Sequence, residues 1–327
     1  MGSTVQTNST VAGWAGIDVS KEWVDVAVWR GERRIDVGRF ARDKKGLGKM
    51  AKQLLQYAPE AVALEATGGY EVAVMAALTE ACIAVVRLNP RRVRDFARAQ
   101  GLLAKTDKID AYVLALFGVR MRPAIRALPE PERVQLANWE TRRQQVVEMR
   151  ATERTRLQQV KHPELRKSLE RTIAFLGKEL ARLDAQIDKC LQESQQLVEQ
   201  AALLDTAPGV GPRTACVLTA RVPELGAANR REIAALAGLA PIAQDSGKYQ
   251  GKRRIQGGRA PVRAALYIAA WSATRVAGKL RDYYHHLIAQ GKPRQLALIA
   301  VARKLLISLN EMMRKRQPWT ENADFSA

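Results

Sequence analysis

Residues 15–21 read A15-G-I-D-V-S-K21, and the reading of this stretch decides the fold. Trp14, Ile17 and Val19 surround a single carboxylate with apolar and β-branched residues, the composition of a buried strand that ends near Asp18. An ionised carboxylate in such a setting is costly unless a cation or hydrogen bonds compensate it. Three acids further along are candidates to share a cation with it: Glu65, which closes A61-V-A-L-E65, and Asp107 and Asp110 in K105-T-D-K-I-D-A111. Hard oxygen donors of this kind suit Mg²⁺, with Mn²⁺ as the second candidate, and phosphoryl transfer is the chemistry they support. Each acid alone has a plainer reading: Thr106 or Asp107 as a helix cap, Asp110 in a favourable first turn, Asp18 as a strand-end turn residue. The four acids in this order favour the shared centre.

The elements around these acids have a recognisable order. The Asp18 segment, W23-V-D-V-A-V-W29 and R33-R-I-D-V-G-R-F40 read as three strands, with R30-G31 as a tight turn between the last two, and so as an antiparallel meander. A helix over about 45–57, the strand ending at Glu65, a helix over about 70–81 and an apolar strand over 83–88 follow. That alternation implies parallel pairing. Three antiparallel strands followed by alternating helices and parallel strands is the order of an RNase H-like fold. Asp18 and Glu65 then end neighbouring strands, and Asp107 and Asp110, three residues apart on a helix, face the same way.

Composition narrows the partners. A chain of 327 residues suggests two or three domains, and 53 Lys and Arg against 33 Asp and Glu leave a formal charge of +20. A polyanion is the expected partner. No apolar run is long enough to span a bilayer and no secretory signal opens the sequence, so a cytoplasmic protein without a membrane partner is expected. Cys82, Cys190 and Cys216 lack paired spacing, which argues against a disulfide framework and a structural zinc site.

The remaining chain divides by character. Residues 1–13 read as a flexible leader, 14–128 as the acidic α/β domain, 129–200 as long helices, 201–317 as a mainly helical C-terminal domain, and 318–327 as a tail. Leu169, Ile173, Leu176, Leu180, Leu183, Ile187 and Cys190 recur at spacings of four and three, a coiled-coil seam that a helical hairpin or another subunit must cover. The run PGVGP from Pro208 to Pro212, between apolar flanks, resembles a helix-hairpin-helix element, in which Gly209, Gly211 and Arg213 would approach a phosphate; a plain helix-to-helix turn is the alternative. Residues 241–259, PIAQDSGKYQGKRRIQGGR, read as a loop or short hairpin against a nucleic-acid backbone through Lys248, Lys252, Arg253, Arg254 and Arg259, with Arg263 just beyond. From Ser246 onward, 16 Lys and Arg stand against 4 Asp and Glu, which points to nucleic acid here. Ser246 itself, beside a glycine, is ordinary turn chemistry on its residues alone.

Taken together, G16-I-D-V-S-K21, L64-E-A-T-G-G-Y70, K105-T-D-K-I-D-A111, the Pro208–Pro212 run and S246-G-K with G257-G-R-A260 resemble, in order, the bridge-RNA-guided insertion-sequence transposases. The resemblance spans about residues 14–317. It implies a RuvC-like domain whose acidic tetrad is Asp18, Glu65, Asp107 and Asp110, and a C-terminal transposase domain whose nucleophile is Ser246. It also implies a 5′-phosphoserine intermediate with target and donor DNA, a non-coding guide RNA, Mg²⁺, and a homo-oligomer, dimer or tetramer, in which the two catalytic parts come from different subunits. Two other classes remain open at this stage. A RuvC-like junction nuclease would use the same acids with water as nucleophile, and a non-enzymatic nucleic-acid scaffold would need only the basic surface.

Overall fold

The computed structural model describes residues 13–102, 106–125, 129–243, 245–246, 249–251 and 253–320. They fall into two compact units that divide between residues 128 and 129. The expected leader, apart from Gly13, and the tail from residue 321 lie outside the described residues.

The first unit is built from β1 (Trp14–Val19), β2 (Trp23–Arg30), β3 (Arg33–Ala41), α1 (Lys44–Tyr57), β4 (Ala61–Glu65), α2 (Glu71–Glu80), β5 (Val85–Leu88), α3 (Pro90–Ala99) and α4 (Asp107–Met121). The sheet order is β3-β2-β1-β4-β5, with β1–β2 and β2–β3 antiparallel and β1–β4 and β4–β5 parallel. The antiparallel meander, the parallel strands after it and the adjacency of β1 and β4 are those expected from the sequence. Gly31, at φ +60°, makes the turn between β2 and β3. Helix α3 is an element that the sequence reading did not delineate. Asn89 caps it through Arg91 N, and Pro90 occupies its first position.

Two layers cover β1. Ala15, Ile17 and Val19 pack with Met50, Leu54, Val74 and Leu78 of α1 and α2, while Trp14 packs with Val93, Leu114 and Phe117 of α3 and α4. A strand buried on both faces reads as apolar throughout, which is why Asp18 is conspicuous. Helix α4 lies flush on β1 because Gly16 has no side chain: a Cβ there would stand 2.1 Å from the Ala111 carbonyl oxygen and 2.4 Å from Ala115 N. At the other end of the contact, a Cβ on Gly118 would meet the Trp14 ring at 2.3 Å. These contacts run α4 antiparallel to β1, with the helix N-terminus at the strand's C-terminal end.

The second unit contains α5 (Pro131–Gln159), α6 (Pro163–Gln192), α7 (Gln195–Asp205), α8 (Pro212–Arg221), α9 (Arg230–Ala237), the two-residue strands β6 (Pro241–Ile242), β7 (Asp245–Ser246), β8 (Tyr249–Gln250) and β9 (Arg254–Ile255), α10 (Ala260–Ala273), α11 (Lys279–Ala289) and α12 (Arg294–Lys315). Helices α5 and α6 form an antiparallel hairpin. Arg166 closes its tip by donating to the carbonyls of Leu157 and Val160, both at 3.0 Å. The apolar seam of α6 is covered by its own chain: Leu176, Leu180 and Leu183 pack with Val146, and Ile187 and Cys190 with Leu136. Around α12, Leu305, Leu306 and Leu309 join Leu218, Ile233 and Leu266 in the largest core. Asn310, 1% exposed, uses both ends of its amide there, accepting from Gly226 N at 2.8 Å and donating to the Ala228 carbonyl at 2.9 Å.

Two substitutions test this packing. Gly16→Val should push α4 off the sheet and destabilise the first unit by about 3 kcal/mol or more, read as a lower denaturant midpoint of tryptophan fluorescence. Leu183→Asp, at a position 2% exposed, should destabilise the hairpin by about 3 kcal/mol. Because α5 of the same chain covers Leu183, that loss should not vary with protein concentration in circular-dichroism melts.

Candidate active site

The pairing of β1 with β4 runs to Ile17 opposite Leu64, so Asp18 and Glu65 are the next residues on adjacent parallel strands. Both are half-buried, at the C-terminal ends of their strands and on the face that α4 covers. The edge outside the carboxyl ends of parallel strands is where open α/β sheets bind ligands. Thr106 caps α4 by accepting from Ile109 N, and Asp107 and Asp110 occupy the first turn above this edge. Asp110, half-buried, immediately precedes Ala111, whose carbonyl lies over Gly16. The side chain of Asp107 is outside the described atoms. The donors are thus of the right type for Mg²⁺ or Mn²⁺ and come from elements that meet at one end of the sheet. Among the described residues, no three His, Cys, Asp or Glu side chains already converge closely enough to hold one ion.

The sequence reading passed over two acids beside this edge. Asp25 on β2 is the cross-strand partner of Asp18 and is 4% exposed. Arg39 on β3 holds it, with Nε 3.1 Å from both carboxylate oxygens and Nη2 2.9 Å from Oδ2. Glu71, also 4% exposed, shapes the turn that follows Glu65: one of its oxygens accepts from Thr67 N at 3.2 Å, Thr67 Oγ1 at 3.1 Å and Gly69 N at 2.8 Å. Burial would raise this carboxyl, but the bonds from backbone N–H groups and Thr67 outweigh it and hold the group below the ordinary glutamate value. Gly68 and Gly69, at φ +76° and +119°, let the backbone wrap around the carboxylate. The signal for Asp25 was its inward position in the alternating run W23-V-D-V-A-V-W29; the signal for Glu71 was the G-G-Y-E turn.

In the second unit Ser246 lies in β7, paired with Tyr249 of β8, while Asp245 pairs with Gln250. Strands β6 and β9 pair beneath them, Pro241 with Ile255 and Ile242 with Arg254. Only the backbone of Ser246 is described, and Lys248 and Lys252 lie outside the described residues. The C-terminal root of this double hairpin is tightly held. A Cβ on Gly258 would stand 2.1 Å from Gly238 N, and Arg259 N donates to the Leu236 carbonyl at 2.8 Å. The Arg259 guanidinium forks onto both oxygens of Glu224 at 2.6 Å and reaches the Arg221 carbonyl at 2.8 Å. Arg263 donates to the Gly257 carbonyl at 2.6 Å, and Arg253 pairs with Asp245 at 3.1 Å. Arg254 is exposed.

The Pro208–Pro212 turn joins α7 to α8. Gly209, at φ +79°, faces inward: a Cβ there would lie 2.2 Å from the Ala269 carbonyl oxygen of α10. This glycine serves helix packing, the plainer of the two readings, while Gly211 is exposed. Arg213 reaches Asp184 at 3.1 Å and Asp188 at 3.3 Å on α6, and stands 3.8 Å from Glu140 on α5. Burial pushes the Glu140 carboxyl up and also raises the Cys216 thiol beside it. Arg213, Arg259 and Arg263, all expected on nucleic acid, thus have structural partners within the chain.

Comparison with known proteins converges on one family. Residues 15–160 match the transposase family model of the DEDD IS110 type, and residues 201–285 match that of the IS116/IS110/IS902 transposases. The chain is 27% identical over 263 residues to the pilin gene-inverting protein of Moraxella bovis, covering 78% of this chain and 80% of that one. It is 30% identical over 194 residues to the uncharacterized 44.8 kDa protein of insertion element IS116 from Streptomyces clavuligerus, covering 57% and 48%. Among solved structures, T. thermophilus RuvC in complex with a Holliday junction substrate is 21% identical and covers 34% of this chain and 96% of that one, with a TM-score of 0.27. Two models of one family, matched in sequence order on the two units, together cover most of the chain: it belongs to the IS110/IS116 family of insertion-sequence transposases, with residues 15–160 of the DEDD type.

Proposed function

We propose that this transposase is a DNA recombinase that cuts and rejoins target and donor DNA in the cytoplasm by serine chemistry, with a non-coding RNA guiding the choice of sites. The observation that carries this reading is the placement of Asp18 and Glu65 side by side on parallel strands, beneath the α4 turn that bears Asp107 and Asp110. These four residues would hold Mg²⁺ or Mn²⁺. Bound there, the ion would supply Lewis-acid stabilisation of the phosphate charge.

The residues of the chain supply the rest. Ser246 Oγ would attack a backbone phosphorus, forming a Ser–O–P bond to the DNA 5′ end as the bond to the 3′ oxygen breaks. The serine proton passes to solvent, and the departing oxygen takes a proton and leaves as a 3′-hydroxyl. Attack by another 3′-hydroxyl reverses these steps and releases the serine, so the ester retains the energy of the broken bond. The anchored root of the hairpin, with Arg259 on Glu224, supports a serine held in a defined place. Strand exchange rather than hydrolysis accords with a relative named for inverting a pilin gene. The +20 formal charge suits an assembly that holds DNA and RNA at once, with Gly211, Lys248, Lys252, Arg253 and Arg254 near the phosphates. Assembly into a dimer or tetramer and catalytic parts shared between subunits belong to the same reading, as do the domain limits 14–128, 129–200 and 201–317.

A DNA substrate nicked near the exchange point traps the intermediate when incubated with protein, RNA and Mg²⁺. After denaturation, wild-type protein should carry DNA label and Ser246→Ala should carry none. Cleavage by Ser246→Ala at the wild-type rate would favour water as the nucleophile. Asp18→Asn and Asp110→Asn should each lower adduct formation by more than about 100-fold while leaving the melting temperature nearly unchanged.

A further inference from the structure

The acidic edge contains a carboxylate that the proposed chemistry does not use. Asp25 lies directly across from Asp18, where side chains on paired strands stand roughly 5 Å apart. Like charges at such positions repel, and Asp25 is 4% exposed, so the sheet carries an acid where it is doubly unfavourable. Arg39 compensates it from the next strand with contacts of 2.9–3.1 Å. Arg39, Asp25, Asp18 and Glu65 therefore form a continuous row across β3, β2, β1 and β4 on one face. Fold stability gives a weak reason for the pair, because the Arg39 side chain is 46% exposed and an ion pair open to water on one side contributes little.

We propose that Asp25 and Arg39 form a positioning pair for the acidic centre: Arg39 reserves the charge of Asp25, and the pair thereby sets how strongly Asp18 and its neighbours bind a divalent cation. The inference rests on the reading of Asp18 as a metal-holding carboxylate. Asp25 is not assigned to the coordination set. Its charge acts through Asp18, whose position it limits on the β2 side while Glu65 limits it on the β4 side. The neutralised pair leaves the centre with the charge of its own acids. Loss of Arg39 exposes the centre to one more negative charge, and loss of the Asp25 charge exposes it to a guanidinium that Asp25 no longer offsets.

The test is a titration of the full-length protein with Mn²⁺ alone, without nucleic acid, following free Mn²⁺ by electron paramagnetic resonance. Arg39→Gln should tighten Mn²⁺ binding by about tenfold and Asp25→Asn should weaken it by about tenfold, since each changes the local charge by one unit. The double variant should return to within about threefold of wild type. A purely structural pair would lower the melting temperature of both single variants without moving the affinities in opposite directions. Should Arg39→Gln fail to fold, Asp25→Asn, which is nearly isosteric, and the charge-neutral double variant still read the effect. Wild-type affinity in Asp25→Asn and Arg39→Gln, with Mn²⁺ binding lost in Asp18→Asn, would overturn the pair's role and leave the metal centre standing. Wild-type binding in Asp18→Asn would overturn the metal centre and this inference with it.

Discussion

The contact between Gly16 and the backbone of α4 is the constraint on which the first unit depends. It brings Ala111 and Ala115 onto the central strand at a distance no side chain would permit. The approach seals the Trp14 face of the sheet and fixes the direction of α4 through Gly118 on Trp14. Since α4 runs antiparallel to β1, its capped N-terminal turn comes to the strand end that carries Asp18 and Glu65. One missing methyl group thus couples the core to the acidic edge, because close-packed interiors leave little room for adjustment.

Charge at that edge is arranged rather than merely accumulated. Asp25 is paired across strands with Arg39, and Glu71 is wrapped by backbone donors that favour its ionised form. Both stand beside the four acids proposed to hold the ion without belonging to them. Such surroundings matter because the first carboxylates of a centre take their orientation and basicity from the groups behind them.

The second unit shows why a count of positive charges does not map a binding surface. Arg213 ties α8 to α6, Arg259 locks the root of the Ser246 hairpin onto Glu224, and Arg263 caps Gly257. Guanidinium groups are well suited to such bidentate structural roles, so arginines in a basic stretch divide between holding the protein and meeting a phosphate. Sequence position alone cannot make that division.

Periodicity and spacing in the sequence determined the antiparallel meander with parallel strands after it, the acids at the strand ends and the two long helices with their seam. These are local patterns of period two and 3.6, readable without knowing what lies opposite. Tertiary structure decided the partners. If pairing continued evenly from the Arg30–Arg33 turn, Asp25 would oppose Gly38; the bulge between Val26 and Ala27 shifts the register by one and delivers Arg39. The seam of α6 is closed by α5 of the same chain, Gly209 is occupied by α10, and Arg259 by Glu224. Each of these depends on groups far apart in the chain meeting in one place, and only the folded packing sets which of several chemically equivalent partners that will be.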